Sequence, residues 1–116
     1  TGTVVAGYVT DEELADLYAA GIGLILVSLA EGFGLPIVEA AAAGVARFVL
    51  SDLPVFRWIA RDAAEYVDPT SVAAIGEALR RMLEEPADAP ALGVTRFDWD
   101  DSAEAVRLAA VALTRA

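Results

Sequence analysis

The chain is 116 residues long, 57% apolar and 22% charged, with a formal net charge of −10. This length allows one domain at most and the apolar content excludes disorder, while the acidic field, set against eight Arg and no Lys, excludes nucleic-acid binding. With neither Cys nor His, the chain has no disulfide or thiol chemistry, lacks the commonest metal ligands, and cannot run Ser–His–Asp or Cys–His catalysis by itself.

Residues 3–9 read as a short buried strand broken by Gly7. Thr10-Asp11-Glu12-Glu13 has the form of a capping box, and a helix follows to about Ala20 with Leu14, Leu17 and Tyr18 on one face. Gly21 ends it. The apolar run 24–28 predicts a strand covered on both faces. Glu31-Gly32-Phe33-Gly34 is a loop, Pro36 suits a first helical turn, and that helix runs to about Ala43 before Gly44 closes it. Residues 47–50 predict a third strand, and Ser51-Asp52-Leu53-Pro54 opens a short helical turn to about Ala60. A fourth strand over 64–67 is followed by the turn Asp68-Pro69-Thr70. A long helix over 71–84 carries Ile75, Leu79, Met82 and Leu83 inward. A linker covers 86–90, residues 92–99 are ambiguous, and a last helix over 101–114 carries Val106, Ala110 and Leu113.

Strand and helix alternate, so the expected fold is α/β, a four-stranded, mostly parallel sheet flanked by helices. No apolar run is long enough to span a membrane, and Thr1-Gly2-Thr3 is no basic signal-peptide start, so the expected location is cytoplasmic. Asn and Gln are absent and Ala is abundant, which suits a GC-rich or heat-tolerant source, or a sequence stripped of labile residues.

The chemistry concentrates in the stretch from Ser28 to Ala40. A strand leads through a loop with two glycines into a helix N-terminus at the carboxyl end of a parallel strand, where open α/β sheets bind ligands. Glycines let the backbone approach a guest closely. The unsatisfied N–H groups of the first turn then favour a phosphate or pyrophosphate. Glu31 in the loop and Glu39 about a turn into the helix are placed to accept hydrogen bonds from sugar hydroxyls on either side of it. Other readings of the same residues are a plain glycine turn and two solvated surface carboxylates. A glycosidase pair needs two carboxylates facing one bond, which spacing does not establish. No Walker motif is present, and Gly32-x-Gly34 lacks the third glycine of the dinucleotide fingerprint.

Glu31-Gly32-Phe33-Gly34-Leu35-Pro36-x-x-Glu39-Ala40 resembles the signature of the GT-B retaining glycosyltransferases, family GT4. Gly7-Tyr8-Val9-Thr10-Asp11-Glu12-Glu13-Leu14 is similar to the segment upstream of that signature. Ala60-Arg61-Asp62-Ala63-Ala64 with Val67-Asp68-Pro69, and then Phe97-x-Trp99, are similar to segments downstream. The resemblance implies a Rossmann-like fold, with residues 1–116 as one partial, donor-binding half-domain of the GT-B type. It implies that Glu31 hydrogen-bonds the donor sugar, and that Gly32, Phe33, Gly34 and Leu35 contact sugar and diphosphate through their backbone. Glu39 would bind the ribose, while Tyr8 and Val9 line the base. The substrate implied is a nucleotide diphosphate sugar, used without a metal or another cofactor. The resemblance also implies that the acceptor domain and the first two strands of the donor domain, with their diphosphate-binding Arg and Lys, lie outside this sequence. No catalytic residue is therefore assigned, and the isolated chain is expected to be inactive.

The chain also departs from that pattern. It has Val27 for a common Pro, Ala46-Arg47-Phe48 for Pro-Val, Trp58 for a Glu, Arg61 for a Gly, and Ile22 at a polar position, and so gains Ile22, Phe48, Leu50 and Trp58. Ordinary drift with a repacked core is one reading. Redesign of an excised or engineered scaffold, with an interface built in, is the other. In the family's strand order 3-2-1-4-5-6, strand 24–28 would expose an apolar edge. Self-association through that edge or the Phe48/Trp58 region, or a rearranged four-stranded sheet, is expected.

Overall fold

A computed structural model of the chain describes residues 2–86, 90–93 and 98–114. The elements are α1 (Asp11–Ala20), β1 (Leu24–Leu26), α2 (Leu35–Ala42), β2 (Phe48–Ser51), α3 (Pro54–Ala60) with a 3₁₀ turn (Arg61–Ala63), β3 (Glu65–Val67), α4 (Val72–Glu84) and α5 (Trp99–Thr114). The sheet has three strands in the order β1-β2-β3, all parallel. Ile25 pairs with Val49 and Leu50 with Tyr66. This is a Rossmann-like α/β arrangement. The linker residues 87–89, and 94–97 of the ambiguous stretch with Phe97 of the downstream motif, lie outside the described residues, as do the Ala110 and Leu113 side chains.

Local signals set most helix ends. Thr10 Oγ1 accepts from Glu13 N–H at 3.2 Å and Glu13 Oε2 accepts from Thr10 N–H at 2.7 Å, which completes the capping box. Gly44, at φ +93°, closes α2: its N–H donates to Ala41 O at 3.1 Å and Val45 N–H donates to Ala40 O at 2.9 Å. These are the paired bonds of a left-handed C-terminal cap. Gly21 ends α1 differently, in extended conformation. Ser71 Oγ caps α4 by accepting from Ala74 N–H at 3.2 Å.

β2 is central and all four of its residues are buried. Side chains alternate across it. Phe48 and Leu50 join Ile37, Ala40, Val45, Phe56 and Ile59 under α2 and α3, while Val49 joins Val67, Ala78 and Met82 under α4. Gly23 lets α4 come close, since a Cβ there would lie 2.6 Å from Met82 Sδ.

Several expectations are corrected. Residues 3–9 form no strand, so the sheet has three strands rather than four, and β1 keeps an unpaired edge among the described residues. A strand exists only with a ladder partner, and Gly7 turns the segment at φ +70°. Leu79 and Leu83 are exposed rather than inward, and Leu17 and Val106 are exposed as well. The three-stranded sheet is narrow, so α4 seats only the stripe through Ala74, Ile75, Ala78 and Met82. Phe48 is core and cannot serve as an exposed contact, whereas Trp58 is exposed. Of the gained apolar residues, Phe48 and Leu50 fill the interior, and Ile22 and Trp58 lie at the surface.

Arg47 has a structural role. Its guanidinium donates to the carbonyls of Met82, Arg81 and Glu85 and so closes the carboxyl end of α4, where the helix dipole favours a cation. Arg61, which replaces the usual glycine, has φ +47° and ψ −119°, the sole positive φ outside glycine among the described residues. Its carbonyl accepts from the Tyr66 hydroxyl at 2.7 Å, which helps hold the turn. Strain of this kind costs ~1–3 kcal/mol, more than the ~0.5–1 kcal/mol of extra chain entropy that glycine brings. Arg61→Gly is therefore expected to stabilise the chain by about 1 kcal/mol in urea unfolding. A lower unfolding midpoint for the variant would contradict the strain.

Candidate functional site

The glycine loop sits where β1 ends. Ser51, the last residue of β2, is fully buried and donates its hydroxyl to Ser28 O at 2.6 Å, fixing the exit of the strand. The Ser28 hydroxyl in turn donates to Glu31 Oε1 at 2.8 Å. The carboxylate is thus held at the lip of the loop by one hydroxyl and keeps acceptor capacity for others.

The two glycines are not equivalent. A Cβ on Gly32 would stand in open space. Gly34 is buried at φ +97°, and a Cβ there would lie 2.7 Å from Phe56 Cε1 and 3.2 Å from Ile37 Cδ1. Both conformation and packing therefore demand glycine at 34. Gly34 is also the N-cap of α2, with no side chain to cap the first turn.

Few first-turn donors of α2 are left for a guest. Pro36 has no N–H, and Ile37 N–H already donates to Gly34 O at 3.0 Å. The N–H groups of Gly34 and Leu35 remain without an acceptor among the described residues. Among the described residues the first turn therefore has two main-chain donors open to a guest rather than a full turn of them. Gly34 is buried, and an N–H in a buried residue without a partner needs an acceptor from elsewhere.

Glu39 lies further along α2, exposed, where its Oε2 accepts from the Tyr18 hydroxyl of α1 at 3.4 Å. Burial pushes the Tyr18 phenol above its ordinary range, and the adjacent Glu39 carboxylate adds to the shift. Phe33 is half-buried, its ring edge-on to Trp58 with centroids 6.2 Å apart and planes at 67°.

The structure thus brings Glu31, Gly32, Phe33, Gly34 and Leu35 together at one loop–helix junction, with Glu39 on the same helix. Tyr8 is 99% exposed on the extended lead-in and is not seated against them; Val9 beside it is half-buried. Ser28 and Ser51 were not singled out as site residues. Tyr18 packs against the core, and its hydroxyl reaches Glu39, a contact that the shared helix face did not predict. Only the small polar residues at the ends of two apolar strands hinted at the serine clamp.

The junction lies on an open face. A hollow of about 170 Å³ sits at the opposite, amino ends of β2 and β3, lined by Arg47, Glu65, Arg81 and Met82 among others. Both of its Arg side chains are engaged, Arg81 with Glu65 and Arg47 with the α4 carbonyls. A second, of about 280 Å³, lies between Ile59–Ala63 and Pro90–Gly93. Neither includes the junction. Among the described residues no helix is long and apolar enough to cross a membrane.

The family model for glycosyl transferases group 1 matches residues 2–104. The serotype-specific mannosyltransferase WbdA of Escherichia coli is 36% identical over 99 residues, covering 83% of this chain and 12% of that protein. O-antigen chain mannosyltransferase B of Escherichia coli is 37% identical over 101 residues, with 82% and 26% covered. O-antigen chain mannosyltransferase RfbU of Salmonella typhimurium is 31% identical over 100 residues, with 84% and 28% covered. The chain spans between about an eighth and just over a quarter of the length of these relatives. No solved structure matches it.

The Tyr18–Glu39 contact carries a pH signature. A raised folded pKa contributes stability that is complete below the free tyrosine value and lost as pH rises through the folded value. In absorbance titration of tyrosinate, Tyr18→Phe should remove one of two late-titrating phenols, the other being Tyr66, which burial also pushes up. Glu39→Gln should move the Tyr18 step down only in part, because burial is the larger cause. An unchanged late step in Glu39→Gln would show that the two groups do not interact.

Proposed function

The chain belongs to the glycosyl transferases group 1 family, and from that premise we propose that it forms the donor-binding part of an enzyme transferring a hexosyl group from a nucleotide diphosphate sugar, with retention. The observation that carries this reading is the pair of unsatisfied N–H groups on Gly34 and Leu35 at the head of α2, beside the Ser28-held Glu31. In this reading the two amides and the α2 dipole take the diphosphate, as helix N-termini take anions. Glu31 accepts hydrogen bonds from the hexose hydroxyls, and the backbone at Gly32 and Phe33 runs along the sugar. Glu39, positioned by Tyr18, takes the ribose. Tyr8 and Val9 line the base. The amides do the work that a metal ion does elsewhere, so no metal is required. The names of the relatives support mannose as the hexose.

Two charge-assisted hydrogen bonds contribute ~1.5–3 kcal/mol each, and they act against a net charge of −10. In this reading the remaining counter-charge is supplied by residues of the longer enzyme, so the isolated chain binds weakly and does not turn over. A second reading, self-association of a scaffold without ligand function, draws on the unpaired edge of β1 and on exposed Trp58. Calorimetric titration with GDP- and UDP-hexoses separates the two. Donor binding predicts millimolar-or-tighter affinity that Glu39→Ala abolishes without changing the unfolding midpoint. No heat at tens of millimolar ligand, together with a dimeric mass in sedimentation, would favour the scaffold.

A further inference from the structure

Ser51 is the sole polar residue buried among the described residues, and it has no exposed surface. The rest of β2 is Phe48, Val49 and Leu50. A hydroxyl in such a place is costly unless it is hydrogen-bonded, so its use lies in the bond it makes. The register that pairs Leu26 with Leu50 would set Val27 opposite Ser51, yet the β1–β2 ladder stops at Leu26. β2 runs on, pairing Ser51 with Val67 of β3. β1 therefore parts from β2 after Leu26, and there Ser51 Oγ donates to Ser28 O at 2.6 Å. A side chain takes over where the main-chain ladder ends.

The connection continues outward. Ser28 donates its own hydroxyl to Glu31 Oε1 at 2.8 Å. Because Ser51 holds the Ser28 carbonyl, the backbone from which that hydroxyl projects is fixed. Glu31 is exposed, and a glutamate free in water samples many rotamers. Two hydrogen bonds in series thus join the interior of the sheet to a carboxylate in solvent. A side chain oriented before its ligand arrives loses less freedom on binding.

We propose that Ser51 is a positioning residue: its buried hydroxyl, acting through the Ser28 carbonyl and then the Ser28 hydroxyl, presets the Glu31 carboxylate. The use made of that carboxylate rests on the donor-site reading, whereas the relay is a property of the free chain and is measured there first.

The side-chain carboxyl ¹³C resonance of Glu31 reports on the relay without ligand. Ser28→Ala removes the contact directly and gives the reference shift. Ser51→Ala should move the resonance in the same direction, and so should Ser51→Cys, which keeps a core-compatible side chain of similar size with a weaker donor. Adding either to Ser28→Ala should change it little further, as residues acting in series do. Val49→Ala, on the same face of β2, lowers stability without touching the relay and should leave Glu31 unmoved. Ser51→Cys should also weaken GDP-mannose binding by about 3- to 10-fold and leave inorganic diphosphate, held by the Gly34 and Leu35 amides, bound as in the parent. A Glu31 resonance that neither Ser51 variant moves, or that Val49→Ala moves as far, overturns the relay. An equal loss for diphosphate would mark a merely structural role and overturn it too. The expected shifts in a chain that binds neither ligand would uphold the relay and count against the donor-site reading.

Discussion

Because Gly34 has no side chain, the ring of Phe56 closes against the loop backbone, and that contact sets where α2 begins. A Cβ would collide with the ring, and the left-handed φ of +97° would strain any residue that carried one. The same packing fixes the direction in which the Gly34 and Leu35 amides point. On the other side of the loop, the buried Ser51 hydroxyl holds the Ser28 carbonyl, so the β1 exit and the α2 entry are clamped from two directions. The exposed groups between the clamps need no strong interactions of their own to stay in place. Glu31 is held by a single hydroxyl and can exchange it for a ligand.

What the sequence made legible was local. The Thr10/Glu13 box and the left-handed cap at Gly44 each depend on residues three to five positions apart, and each formed. What it left illegible was mostly non-local. Residues 3–9 have strand composition, but a strand needs a partner edge, and composition does not carry that information. The apolar residues of α4 are periodic, yet how many of them are covered depends on the width of the sheet beneath, which leaves Leu79 and Leu83 in water. The Tyr18–Glu39 contact joins residues 21 positions apart and follows only from the packing of α1 on α2. Arg61 is intermediate: the motif marked a glycine site, and the backbone there did keep a glycine conformation.

The departures from the family pattern separate along physical lines. Phe48 and Leu50 enlarge the core, and Arg47 ties α4 to the amino end of β2. Trp58 does neither, since it stays outside and enlarges the apolar border of the glycine loop. Nothing in the structure explains Ile22 at the surface. The acidic charge has an unequal consequence, because it would oppose a diphosphate at the proposed donor site but leave a neutral sugar ring unaffected.

In the proposed donor site the main-chain amides of Gly34 and Leu35 are the anion contacts. The direct measurement is the backbone amide spectrum of the ¹⁵N-labelled chain during titration with inorganic diphosphate. The largest saturable shifts are expected at Gly34 and Leu35, with Ile37, already bonded to Gly34 O, moving little. Shifts confined to the surroundings of the Arg side chains, with Gly34 and Leu35 unmoved, would contradict it.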